Sequence, residues 1–539
     1  MLTNRSLSTR FSMPGLLILG ALALNGCGIL SPNDMGGAAA LTENVSLSSG
    51  ALQGNARDAS GILSFKGIPY AAAPVGDLRW KAPQPAASWT GVRPAQTYGN
   101  KCWEFSPAVS LAAANGHSED CLFLNVWSGA QKVSDRQPVM VWVHGGGLQF
   151  GTSGDPRWEG AKLAQKGVVV VSINYRLGAF GFFSHPELNT DSGGRSSGNY
   201  GLRDQLAALR WVKANIARFG GDPANVTVFG ESAGAHSIGL LTTAPQATGS
   251  FDKVIAESGA FLESEFGPVP SRAAAEQQGT AFASSVGANT LAALRAVPEQ
   301  TLAQAAGTFS GPPFSASIDG DLLPGDPYVR FLQGKQIDVP TLSGQNLLEG
   351  VIFAPRALPS STPQAFIDAA TRVFGAANIG NVLKFYPATT ADEARTSSVR
   401  MIGDLIIGNQ TWAWQGAQKA TGQSPVYSYL FNQTSAYTPA PIHVSEVPYV
   451  FQNLVPKPNL PAAGDQDAAL ANTMASYWTN FARTGNPNGA GLANWPQYSG
   501  PGGQVMALGN TVAPIPEPFT DRFTFLNSFR TNGVLNIHF

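Results

Sequence analysis

Apolar residues recur along the first half of this chain at two different spacings. Pro138 to His144 (PVMVWVH) and Gly167 to Tyr175 (GVVVVSINY) are short, nearly continuous apolar runs, and Val226 to Phe229 (VTVF) is a third. Runs of that length bounded by glycine read as strands buried on both faces. Between the second and third runs, Leu202, Leu206, Leu209, Val212 and Ile216 repeat at helical spacing. They predict a helix over 202–219, stopped by Gly220-Gly221-Asp222-Pro223. Further strands are predicted at Val339 to Ser343 (VPTLS) and Val426 to Phe431 (VYSYLF). Short apolar strands alternating with amphipathic helices predict an α/β fold, with a mostly parallel sheet and helices on both faces. From about residue 260 the pattern loosens into Pro-rich and Ala-rich stretches, which predict added helices forming the walls of a pocket.

The third strand runs directly into Gly230-Glu231-Ser232-Ala233-Gly234. A serine flanked at two residues on each side by glycine, between a strand and a helix, is a nucleophile elbow. The turn holds the hydroxyl clear of the sheet, and side chains at 230 or 234 would strike neighbouring backbone. The helix that follows aims its amides and positive dipole end at the reacting carbon. Ala233 N–H is one expected oxyanion donor. The strand at 138–144 ends in Gly145-Gly146-Gly147, a glycine run suited to supplying the others. A phosphate-cradling loop would need Lys-Ser or Lys-Thr next, and Leu148-Gln149 stand there instead.

A serine elbow needs a base and an acid, in the chain order serine, acid, histidine. Of six histidines, only His443 and His538 lie well beyond Ser232. His538 is the penultimate residue, where fraying would spoil a positioned base, so His443 is the expected base. His236 is expected to pack along the elbow helix and His144 to shape the glycine loop. For the acid, Glu349 follows the strand at 339–343, while Asp319 and Asp321 compete from a turn before it. Spacing leaves that choice open.

Several longer stretches resemble the type-B carboxylesterases, a family that includes cholinesterases and bacterial para-nitrobenzyl esterases. Phe65 to Pro85 (FKGIPYAAAPVGDLRWKAPQP) resembles the family's first signature, and Glu119 to Trp127 (EDCLFLNVW) its second. Gly198 to Gly234 (GNYGLRDQLAALRWVKANIARFGGDPANVTVFGESAG) resembles its longest block, and Trp495-Pro496 suits its C-terminal end. The resemblance spans roughly 51–530 and implies an α/β-hydrolase fold. It implies a serine esterase working through an acyl-enzyme on Ser232, with Glu349 as acid and His443 as base. Gly146, Gly147 and Ala233 would form the oxyanion hole. Glu231 would be a supporting carboxylate beside the nucleophile and Ser258 a supporting hydroxyl near the acid. Cys102 and Cys121 would form the family's first disulfide. Leu348 stands where the family usually has an aspartate, and the Cys102–Cys121 loop is shorter than in cholinesterases, which argues against choline-type specificity. Trp103 and Phe105 either line the pocket or pack.

Composition narrows the partners. With 34 basic and 35 acidic residues, a formal charge of −1, the chain is not built to bind nucleic acid. Leu148, Phe150, Phe180 and Phe183, near the glycine loop and the next strand, point to an uncharged or aromatic ester, or equally to core packing. No cofactor fingerprint or metal-ligand spacing stands out, so none is expected. Arg5 and Arg10 precede a short apolar run, Leu16 to Leu24, which ends in Asn25-Gly26-Cys27. This reads as an export signal over 1–26, too short to span a bilayer. It resembles a bacterial lipobox with lipidation at Cys27; Asn25 departs from the usual residue, and a cut near Ala38-Ala39-Ala40 is the alternative. Residues 27–50 are expected to be a tether and 51–539 the hydrolase domain. The expected location is outside the cytoplasm, at the bacterial periplasm or outer membrane as a lipoprotein, or otherwise secreted. Rival functions are an esterase specialised for a polyester, toxin or phenolic ester, and a non-catalytic binding protein on the same scaffold.

Overall fold

The computed structural model describes residues 39–105, 116–193, 197–259, 262–264, 267–353, 362–531 and 534–535. They fall in one compact unit, Ala38–Phe539. The export signal, Cys27 and His538 lie outside the described residues.

The tether expected over 27–50 is folded from residue 39 onward. Ala40 bridges to Lys132, and strand β1 (Asn44–Leu47) pairs antiparallel with β2 (Gly50–Gln53). Leu41, Val45 and Leu52 are buried. Three apolar side chains spaced through a small, polar stretch are enough to seat it against the core, although the composition resembles a linker.

The main sheet is built from β3 (Leu63–Pro69), β5 (Phe123–Ser128), β6 (Gln137–Val143), β7 (Val169–Ile173) and β8 (Gly221–Glu231). It continues with β9 (Lys253–Glu257), β10 (Thr341–Asn346), β11 (Val426–Phe431), β12 (Gln504–Leu508) and β13 (Ala513–Pro516). A short strand β4 (Val92–Pro94) pairs with β2 outside it. Ten strands run in the order β13-β12-β11-β10-β9-β8-β6-β7-β5-β3. Pairing is parallel from β7 through β12 and antiparallel at both edges.

Alternation along these strands explains why they read as continuous apolar runs. Val139, Val141 and Val143 enter one core with Val169, Val171, Val226 and Val228. Met140 and Trp142 face the other way, into a second core with Val170, Phe229, Ile255 and Leu342. Successive side chains point to opposite faces, and both faces are dry. Helix α1 (Tyr200–Asn215) and helix α2 (Ala233–Thr242) cover the first face. Helix α3 (Asn409–Thr421) puts Trp412 and Trp414 into that same core, and helix α4 (Asp465–Thr484) covers the second face with Met474, Trp478 and Phe481.

The helix expected over 202–219 divides. α1 ends at Asn215, and Ile216–Phe219 continue as a 3₁₀ turn closed by Gly220 at φ 77°. The tighter turn lets the left-handed glycine reverse the chain into β8. The looser second half carries the expected added helices, among them Arg272–Ser285, Glu299–Thr308, Pro363–Phe374 and Ala391–Gly403. They sit between β9 and β10 and between β10 and β11 in the chain.

Gly416 lies inside α3 with open space around the position of a Cβ. Gly416→Ala therefore removes backbone entropy from the unfolded chain without a clash. It should raise stability by about 0.5–1 kcal/mol, read as a higher denaturation midpoint.

Candidate active site

β8 delivers Glu231 and Ser232 to the C-terminal edge of the sheet, where α2 begins at Ala233. Ser232 has φ 54° and ψ −123°, a strained conformation for a side-chain-bearing residue. Two backbone bonds hold it: its N–H donates to Glu257 O at 2.9 Å, and His236 N–H donates to Ser232 O at 2.8 Å. The glycines of the elbow are required sterically. A Cβ on Gly230 would stand 2.5 Å from Val143 O, and one on Gly234 would collide with the same carbonyl. Ser232 itself is half-buried.

The glycine loop lies against this turn. A Cβ on Gly145 would sit 3.0 Å from Ser232 Cβ and 2.6 Å from Glu231 Oε2. Gly146 and Gly147 have φ 107° and 61°, values that favour glycine. The Gln149 and Phe150 N–H groups donate to Gly146 O, turning the loop back on itself. His144 braces the loop, as expected. Its Nδ1 donates to Gly145 O at 2.9 Å, and its ring stacks on Tyr175. Burial pushes its pKa down to about 4, so it stays neutral.

Glu349 and His443 arrive on two loops stitched together at the ends of β10 and β11. Leu348 N–H donates to Pro441 O at 3.0 Å. Glu349 Oε2 is 2.6 Å from His443 Nδ1, and Glu349 Oε1 accepts from Asn346 N–H at 2.5 Å. The other ring nitrogen, Nε2, lies 3.1 Å from Glu231 Oε1, on the residue before Ser232. The imidazole thus spans from Glu349 to the elbow. Phe353 stacks edge-on against it at 5.2 Å, and Val444, next in the chain, takes φ 71°. A β-branched residue in that region signals strain held by its surroundings. The competitors Asp319 and Asp321 are elsewhere, paired with Arg203.

Ser258 reaches the neighbourhood of Glu349 through Glu446 and Asn346. Its hydroxyl donates to Glu446 Oε1 at 2.9 Å rather than to Glu349. Glu446 also accepts from Asn346 Nδ2 at 2.5 Å, and Asn346 in turn donates to Ile442 O. The sequence does carry a signal for Glu446: an acidic residue three positions after His443 in a largely apolar stretch. Glu257 had no comparable signal. It is fully buried and accepts from Trp478 Nε1, 221 residues later.

Four buried carboxylates cluster at the site; Glu231 and Glu349 touch the ring nitrogens, and Glu446 adds its charge. Glu231, Glu257, Glu349 and Glu446 are 3%, 0%, 4% and 0% exposed. Burial lifts Glu231 to about 8 and Glu446 to about 7, and carries Glu257 well above the ordinary carboxylate range. For His443, burial disfavours the cation, but the charges of Glu231 and Glu349 and the Glu349 hydrogen bond outweigh it and raise the pKa to about 10. The cluster is built to stabilise an imidazolium.

Cys102 and Cys121 are disulfide-bonded. Trp103 and Phe105 pack, against His117 and Phe180 respectively. Phe180 and Phe183 belong to the core, Phe183 against Trp80, and Leu148 is buried, whereas Phe150 is exposed beside the glycine loop. The first two signature stretches meet in a buried ion pair, Arg79 with Glu119 at 2.6 Å. Among the described residues, no cluster of His, Cys, Asp or Glu could hold a metal, and no helix is long and apolar enough to cross a membrane.

Known proteins resemble this chain over most of its length. The carboxylesterase family profile matches residues 42–523. Fumonisin B1 esterase of Sphingopyxis macrogoltabida is 36% identical over 479 residues, covering 86% of each chain. Para-nitrobenzyl esterase of Bacillus subtilis (strain 168) is 35% identical over 485 residues, 86% of this chain and 94% of that one. A solved Geobacillus stearothermophilus carboxylesterase superposes with a TM-score of 0.77 at 31% identity, over 90% of this chain and 99% of the other. With an α/β-hydrolase sheet, a serine elbow and that breadth of similarity, the chain belongs to the type-B carboxylesterase family and is a serine hydrolase of carboxylic esters.

Proposed function

We propose that Ser232 is the acyl-forming nucleophile, His443 its general base and Glu349 the acid that orients it. The observation that carries this reading is the histidine held by Glu349 at Nδ1 with Nε2 turned to the elbow. His443 Nε2 takes the Ser232 hydroxyl proton as Oγ attacks the ester carbonyl. Amides of Gly146, Gly147 and Ala233 receive the developing oxyanion, each such donor contributing about 10²–10³ in turnover. The imidazolium returns its proton to the departing alcohol oxygen. Water then attacks the acyl-enzyme by the same route and releases the acid. Glu349 carries no proton in this scheme; it fixes the tautomer and stabilises the cation.

An organophosphonate probe tests the assignment. One label per chain on the peptide holding Ser232, with loss of esterase activity, is the expected result. Labelling elsewhere, or full activity after labelling, would overturn it and would favour a binding-only scaffold.

The carboxylate cluster sets the pH response. Because Glu231 raises the His443 pKa, Glu231→Gln should lower it, making the free base available at lower pH. The acid limb of the kcat/KM profile should move down from the wild-type position, which itself lies above the 6.5 of an ordinary imidazole. A limb that stays fixed would show that Glu231 does not feel the base.

The substrate reading is an uncharged or aromatic ester, supported by exposed Phe150 beside the loop and exposed Leu347, Val351 and Ile352 flanking Glu349. A specialised reading is favoured by the relative named for fumonisin B1. A panel of acyl chain lengths and aryl esters, with fumonisin B1 included, separates the two. We also propose export and lipid attachment at Cys27, with residues 27–38 as the tether; the disulfide suits an oxidising compartment. Labelled palmitate incorporated by the full chain and lost in Cys27→Ala is the expected outcome.

A further inference from the structure

The first disulfide sits beside a contact that reaches the glycine loop. Glu104, two residues after Cys102, is buried, and its two oxygens are divided between two partners. Oε1 accepts from Gly151 N–H at 2.7 Å, and Oε2 accepts from His117 Nε2 at 2.8 Å. His117 lies four residues before Cys121, so the bridge ties together the two arms that carry the pair. An ionised carboxylate only accepts, which places the proton on His117 Nε2. A second bond runs parallel, from Phe105 N–H to Gln149 O at 2.7 Å.

Gly151 is where the loop that begins at Gly145 closes. A Cβ on Gly151 would strike the His144 ring, the same ring that holds Gly145 O. The loop is thus clasped at its start by His144 and at its end by Glu104, with Gly146 and Gly147 between. We infer that Glu104 is a positioning residue for the oxyanion loop: with His117 behind it and the Cys102–Cys121 bridge holding both arms, it fixes the Gly151 end and so the aim of the Gly146 and Gly147 amides. This rests on the reading of those amides as oxyanion donors, and none of residues 106–115 takes part.

Because an oxyanion hole binds the transition state rather than the substrate, its misplacement lowers kcat and leaves KM nearly unchanged. Rates of p-nitrophenyl butyrate hydrolysis, normalised to phosphonate-titrated sites, test this together with inhibition by an alkyl trifluoromethyl ketone, whose adduct carries an oxyanion. Glu104→Ala should lower kcat by about 10–100-fold, with KM within about threefold, and weaken the ketone by a matching factor. Glu104→Gln, whose amide oxygen still accepts from Gly151, should keep kcat within about threefold of wild type. Reducing the bridge in wild type should reproduce part of the loss and add little to Glu104→Ala, as expected for groups acting through one contact. If Glu104→Ala does not fold, His117→Ala carries the test, with the same pattern at smaller amplitude. A kcat within twofold of wild type, or a loss confined to KM with ketone affinity intact, overturns the inference. If wild type fails to take the phosphonate at Ser232, the fault lies with the proposed site and not with Glu104.

Discussion

Ser232→Ala should lower turnover of a short-chain aryl ester by about 10⁴–10⁶-fold and abolish phosphonate labelling. The substitution removes Oγ, the only atom in the proposed site that forms the acyl bond. It leaves Cβ in place, so the demands of φ 54° on the backbone are the same for alanine as for serine. The bonds that hold the turn, Ser232 N–H to Glu257 O and His236 N–H to Ser232 O, are backbone bonds and survive. The thermal midpoint should therefore stay close to wild type, which separates loss of chemistry from loss of fold. Residual hydrolysis by the oxyanion hole and bound water is expected. Turnover near wild type would remove Ser232 from the mechanism altogether.

Gly234→Ala should have the largest effect on folding, with a loss of about 3–5 kcal/mol or failure to accumulate folded enzyme. The added methyl would collide with Val143 O and lie 3.0 Å from His144 O. Both are backbone atoms of the strand end that feeds the glycine loop, so no side chain can rotate away. Relief would require α2 to move off the sheet, and α2 carries Ile238, Leu240 and Leu241 into the core. The thermal midpoint and soluble yield check this, with Gly416→Ala as the opposite control. A Gly234→Ala enzyme with wild-type stability would mean that the elbow packs more loosely than these distances require.

The legible parts of the site share one property: their signals are local. The elbow is five consecutive residues after an apolar run, and the glycine loop is three. The order of Ser232, Glu349 and His443 needs only the chain direction, although choosing Glu349 over Asp319 and Asp321 drew on the family resemblance. The parts that the local pattern left open depend on contacts made elsewhere in the chain. Ser258 meets Glu446, 188 residues away, because parallel pairing of β9, β10 and β11 brings their C-terminal ends side by side. Phe180 and Phe183 follow β7 as apolar residues near the loop, but α-helical turning at 178–182 sends them into the core. The stretch at 39–50 has a linker's composition, yet buried Leu41 and Val45 fold it onto the domain with β2's Leu52.

The chain's local patterns carried the α/β architecture, the serine elbow and the glycine loop, and pointed to His443 as the candidate base. Strand period, helix period and glycine placement are steric properties of neighbouring residues, and they are written where they act. Tertiary packing alone decided that Glu231, Glu349 and Glu446 gather at His443 and that Glu104 reaches Gly151. Those contacts join residues tens to hundreds of positions apart, and their energies arise from burial and charge proximity, which exist only after the strands have paired.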